Sequence, residues 1–105
     1  MNIAALQKQA TVVSGLLKVM ANETRLLVLC QLLDEEKSVN DLEELVGIRQ
    51  SALSQHLAIL RRERLVKTRR EAQFIYYSLA SDEVRSIMNA LYNVYCGSRR
   101  SKKSH

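Results

Sequence analysis

The chain has no proline, three glycines, one phenylalanine, two cysteines and two histidines in 105 residues. Each scarcity excludes something. Without proline there is no obvious linker, and this length suits one domain rather than two. The glycines stand singly at 15, 47 and 97, so no glycine-rich phosphate loop is present. His105 is terminal, and Cys30 and Cys96 lie too far apart in sequence to form a recognisable zinc framework, so no metal or other cofactor is expected. The pairs Glu35/Glu36 and Glu43/Glu44 have no histidine or nucleophile beside them and read as solvated faces, which argues against an enzyme. The longest unbroken apolar run, Leu26 to Cys30, is five residues, against the ~20 that span a bilayer. No membrane association is expected. The N-terminus also lacks the apolar stretch of a secretory signal, which predicts a cytoplasmic protein. In a reducing cytoplasm a permanent disulfide between Cys30 and Cys96 would be unusual, so any bridge would be conditional.

What is present is an uneven charge. The net charge of +5 conceals an acidic flank, with six acids and one lysine from Asp34 to Glu44. It also conceals a basic stretch, with seven bases and only Glu63 from Arg49 to Arg70. Charge distributed in this way attracts a polyanion to one face.

Ile3, Leu6, Ala10, Val13, Leu17 and Met20 recur at three- and four-residue spacing, which predicts a first helix over residues 3 to 20. Asn22 caps a second helix starting at Glu23, with Leu26, Leu29, Cys30 and Leu33 as its inner stripe and apolar residues almost all round. Ser38 with Asp41 opens a third helix with Leu42, Leu45 and Val46 inward, and Gly47 supplies its left-handed end. Leu53, Leu57 and Leu60 line the inside of a fourth helix. Val66 to Arg70 and Phe74 to Leu79 read as an antiparallel hairpin, although its turn carries no glycine signal. Ser81 caps a last helix with the stripe Val84, Ile87, Met88, Leu91 and Tyr95, ended by Gly97. Residues 98–105 hold four bases and nothing apolar, and are expected to form a disordered basic tail beyond a domain of residues 1–97.

This order defines a mainly α winged helix-turn-helix with a β-hairpin. A helix fits the major groove, where amides and hydroxyls read base edges while flanking cations neutralise phosphates. Gln50, Ser51, Ser54 and Gln55 form the face expected to meet bases. Arg61, Arg62, Arg69 and Arg70 are placed at phosphates or the adjacent minor groove, and Gln73 marks the hairpin tip. His56, at the edge of the apolar stripe, reads as a structural histidine or a phosphate contact. The competing reading is a solvated helix face in a winged helix that serves protein contacts only. Cys30 on an apolar helix reads first as a core residue. Cys96, near Arg99 and Arg100, is open to oxidant; the helix dipole raises its pKa and the arginines lower it.

The stretches LLKVMANETRLLVLCQLL, SVNDLEELVGIRQSALSQHLAILRRERLV, REAQFIYYSL and NALYNVYC together resemble the ArsR/SmtB family of bacterial winged-helix repressors, from about Leu16 to Cys96. Within it they are most similar to the dithiol branch, which has one cysteine in the second helix and one near the end of the last. That resemblance implies a homodimer built on the first and last helices and a palindromic double-stranded DNA operator. It also implies that Cys30 and Cys96 sense persulfides or other oxidants, the bridged form releasing DNA. It places Ser51, Ser54, Gln55 and His56 in the recognition helix. The alternative within the resemblance is an antirepressor, or activator, whose cysteines only fill space. Metal sensing is disfavoured: the third helix reads DLEELV and the last has no histidine. Arg49 stands where relatives often carry a serine or threonine, weakening the cap or adding a phosphate contact.

Overall fold

The computed structural model describes residues 2–97. The tail expected over residues 98–105, and so the domain boundary at 97, lies outside them. Five helices run α1 (Ile3–Met20), α2 (Glu23–Gln31), α3 (Val39–Val46), α4 (Gln50–Arg62) and α5 (Asp82–Cys96). The strands are β1 (Lys37–Ser38), β2 (Val66–Glu71) and β3 (Phe74–Leu79). No helix among the described residues is long and apolar enough to cross a membrane.

Caps fix the helix starts. The side chains of Asn22, Ser38 and Ser81 accept hydrogen bonds from the backbone N–H of Arg25, Asp41 and Val84 at 3.1, 3.1 and 3.2 Å, each satisfying an amide with no partner inside its helix. Asn2 does the same for α1 through Ala5. Gly47 ends α3 at φ 80°, where a side chain would be strained.

α4 ends differently. Leu65 N–H donates to Leu60 O and Arg64 N–H to Arg61 O, the pair of bonds of a Schellman cap. The left-handed position is filled by Arg64 at φ 67° instead of glycine.

The hairpin pairs Val66 with Leu79 through to Glu71 with Phe74, so its connection is only Ala72 and Gln73 and β2 extends one residue beyond expectation. Ala72 has φ 56°, the sign that a tight hairpin turn normally obtains from glycine. Ala72→Gly should therefore stabilise the fold by about 0.5 to 1 kcal/mol, the relief of a left-handed alanine less the added freedom of the unfolded chain. Thermal melting checks it: the midpoint should rise by roughly 2 to 8 °C, and an unchanged or lower midpoint would remove the strain argument. β1 was not anticipated. It is two residues long and pairs antiparallel to β3, Lys37 with Tyr77 and Ser38 with Tyr76, giving the sheet order β1-β3-β2.

The core gathers Val28, Leu29 and Leu32 of the α2 segment, Leu42 of α3, and Leu53, Leu57 and Leu60 of α4. Leu65, Val66 and Leu79 close it under the wing, and Met20, Val84 and Met88 close it from α1 and α5. Two expectations need correction. α2 is not buried all round, since Leu27 is exposed, and Leu45 of α3 is 51% exposed instead of inward. On α1 only Leu16, Val19 and Met20 near its end join the core. Ile3, Leu6, Val13 and Leu17 leave their stripe open to solvent, as do Leu91 and Tyr95 on α5.

Candidate nucleic-acid interface and thiol pair

Three buried leucines, 53, 57 and 60, root α4 in the core, which turns Gln50, Ser51, Ser54, Gln55, Ala58, Arg61 and Arg62 outward as an exposed face. The first turn is small and polar and the last is cationic, the distribution a groove-reading helix needs. Arg49 occupies the cap position with extended backbone and makes no side-chain cap bond, so the guanidinium is not spent on the helix. Arg62 contacts Glu63 at 3.3 Å on the surface, an exposed pair of little energetic weight.

His56 sits half-buried at the edge of this face. Its Nδ1 accepts a hydrogen bond from Arg25 Nε of α2 at 3.2 Å. Arg25 had no signal in the sequence.

The hairpin lies beside the start of α4. A groove of about 300 Å³ joins them, lined by Ser38, Val39, Asn40, Gln50, Gln73, Phe74 and Ile75, so Gln50 and Gln73 share one surface. Arg70 is exposed on β2. Arg69 is engaged within the protein. Its Nε donates to both carboxylate oxygens of Glu36 at 2.8 and 3.0 Å, and its Nη2 also reaches Glu36. Nη1 donates to Glu71 at 2.7 Å, and the guanidinium lies 4.7 Å from the centre of the Tyr76 ring. The hydrogen bonds from Arg69 hold the Glu36 carboxyl below the usual glutamate range, and the two carboxylates push the Arg69 pKa up. Because the Glu36 pKa is depressed on folding, what this clamp contributes is present at neutral pH and is lost as pH falls through the lowered value. Glu36, expected on a solvated face, is instead paired with Arg69. Nothing local marks it, because its partner is 33 residues away.

The two thiols are free; Cys30 is half-buried and Cys96 exposed. α5 is tied to the end of α2 by Arg85, whose Nη1 donates to Leu33 O at 2.9 Å. Burial pushes the Cys30 thiol up, and the neighbouring charges of Cys96 and Asp34 push it further. The Cys30 thiolate is thereby disfavoured. Among the described residues no group of three histidine, cysteine or acidic side chains could hold a metal ion.

A helix-turn-helix whose second helix carries an outward polar face, with a β-hairpin wing beside it, defines a winged-helix transcriptional regulator. Residues 22–68 match the family described as bacterial regulatory protein, arsR family. The chain is 50% identical over 96 residues to the transcriptional activator HlyU of Vibrio cholerae serotype O1, covering 91% of this chain and 89% of that one. It is 45% identical over 94 residues to the biofilm growth-associated repressor of Agrobacterium fabrum, covering 90% and 80%. The solved structure of reduced HlyU from Vibrio cholerae superposes with a TM-score of 0.85 over 88% of this chain and 97% of the other. The chain belongs to the ArsR family: it is a DNA-binding transcriptional regulator, not an enzyme.

Proposed function

We propose that the protein is a cytoplasmic homodimer that binds a palindromic operator while Cys30 and Cys96 are reduced and releases it when they are bridged. The observation that carries the sensor is that the end of the α2 segment, which holds half-buried Cys30, is tied by Arg85 to α5, which holds exposed Cys96. The two thiols are far apart in sequence, yet beside the effect of burial the charge of Cys96 raises the pKa of Cys30. The relative from Vibrio cholerae is described as solved in a reduced form, which agrees with a redox-responsive reading.

The chemistry assigns the cysteines different roles. Exposed Cys96 is the first nucleophile, and Cys30, whose thiolate is disfavoured, resolves the product. The Cys96 thiolate takes the outer sulfur of a persulfide, and the donor leaves as a thiolate. The Cys30 thiolate then attacks the Cys96 sulfur, forming the disulfide and expelling hydrosulfide. A second sulfur transfer before closure gives a trisulfide. A peroxide reaches the same disulfide through a sulfenic acid, with water leaving at condensation.

On DNA, Gln50, Ser51, Ser54 and Gln55 read base edges. Arg49, Arg61, Arg62 and Arg70 lie at phosphates, and Gln73 carries the wing tip towards the backbone. His56 and Arg69 stand behind this front, each bound to the protein's own side chains. Relatives are named both activator and repressor, and the sign of control follows from where the operator lies relative to the promoter.

The test is an operator titration of the wild type and of Cys30→Ser and Cys96→Ser, before and after persulfide treatment, with the product mass recorded. Wild-type affinity should fall roughly 5- to 150-fold, the range of a coupling of ~1 to 3 kcal/mol, and neither variant should respond. A variant that still released DNA like the wild type would remove that cysteine from the sensor.

A further inference from the structure

Among the described residues, Arg25 is a side chain that binds three helices together. It belongs to the first turn of α2, where its backbone N–H is held by the Asn22 cap at 3.1 Å. From there Nη1 donates to Val19 O on the last turn of α1 at 3.1 Å, and Nε donates to His56 Nδ1 on α4 at 3.2 Å. Both bonds are partly buried, where a charged donor counts for more than it would in open water. The planar guanidinium fixes the angle between them, which a flexible ammonium could not do.

We propose that Arg25 and His56 are positioning residues for DNA reading, a hydrogen-bonded strut that sets the recognition helix against the helix carrying Cys30. His56 adjoins Gln55 on the reading face and the buried Leu57 behind it. Cys30 lies about a turn and a half farther along the same helix as Arg25. A displacement of α2 when Cys30 is drawn to Cys96 moves Arg25, and the strut carries it to Ser51, Ser54 and Gln55. This regulatory step rests on the thiol switch proposed above. The positioning role in the reduced protein does not.

The geometry supplies its own test, because asparagine places an amide atom near the Nδ1 position and glutamine places one near Nε2. His56→Asn should keep operator affinity within about twofold of wild type, since its Oδ1 can still accept from Arg25. His56→Gln should weaken binding about tenfold, the effect of one charge-assisted hydrogen bond lost from a partly buried site, and Arg25→Ala, which also gives up the bond to Val19 O, by at least as much. After persulfide treatment, the ratio of reduced to bridged affinity should persist in His56→Asn and fall towards one in the other two. Melting of each variant is recorded alongside. If His56→Gln binds normally and His56→Asn does not, His56 meets DNA through Nε2 and the strut is wrong. If His56→Gln keeps the full ratio and loses affinity only in step with its melting point, the contact is structural and the proposal is overturned. Should the wild type itself ignore persulfide, the thiol switch fails, while the asparagine-glutamine split in the reduced protein still decides the positioning role.

Discussion

In the homodimer proposed above, aspartate at both Leu17 and Leu91 should give monomers and lower the affinity for the proposed palindromic operator by about 10²- to 10⁴-fold, the factor a tethered second site supplies. Along α1 the chain leaves Ile3, Leu6, Val13 and Leu17 exposed, and along α5 Leu91, Val94 and Tyr95, the last 79% accessible. An apolar patch of this extent is uncommon on a monomer and marks an interaction surface. Between the two helices, a cleft of about 870 Å³ is lined by Val12, Val13, Leu16, Val84 and Ile87 among others. Such a surface gains roughly 25 cal/mol for each Å² covered, and a typical dimer covers ~800 Å² per subunit. Two buried carboxylates facing their copies across a two-fold axis would reverse that gain. Because neither residue is in the buried core, the fold should survive and melt as a monomer. Sedimentation and an operator titration check both halves. A dimer that persists with both aspartates present would refute the interface on α1 and α5.

Leu53→Ala should cost about 2 to 5 kcal/mol, the usual range for a fully buried leucine. A single domain has ~5 to 15 kcal/mol of stability in total, so a large part of the folded state would be lost, with the midpoint falling by roughly 10 to 30 °C. Leu53 has no accessible surface, and it stands one residue before Ser54 on the same helix. That adjacency gives the control. Ser54→Ala, on the opposite face, should leave melting within about 0.5 kcal/mol of wild type, and should act on operator discrimination alone. Equal melting of Leu53→Ala and wild type would contradict the packing of α4 described above.

The helices were legible because their signals are local. Asn22, Ser38 and Ser81 are caps read from single residues and confirmed by their hydrogen bonds, and three-to-four spacing marks the apolar stripes of α4 and α5. The exposed polar face of α4, on which the proposed DNA contacts rest, was legible for the same reason: once Leu53, Leu57 and Leu60 point inward, Ser51, Ser54 and Gln55 must point out. The failures share the opposite cause. Leu45 and Leu27 satisfy a helical pattern, yet pattern gives an apolar side without giving how much of it another element covers. β1 is two residues long, too short for any periodicity. The left-handed Arg64 and Ala72 break the expectation of glycine, and only the surrounding packing and pairing determine them. The Arg25–His56 and Glu36–Arg69 contacts join residues 31 and 33 positions apart. No local rule connects them.

The clamp on Arg69 changes how the charge of this protein should be counted. Counterion release from DNA follows the number of phosphates actually neutralised, not the number of basic side chains. An arginine already shared between Glu36 and Glu71 displaces few ions from the duplex, and Glu36 places negative charge at the rim of the cationic face. Seven bases between Arg49 and Arg70 therefore overstate the ionic footprint. In the proposed complex the polyanion would meet a boundary beside the wing, and the edge of the operator would be set by where attraction stops as much as by where it begins.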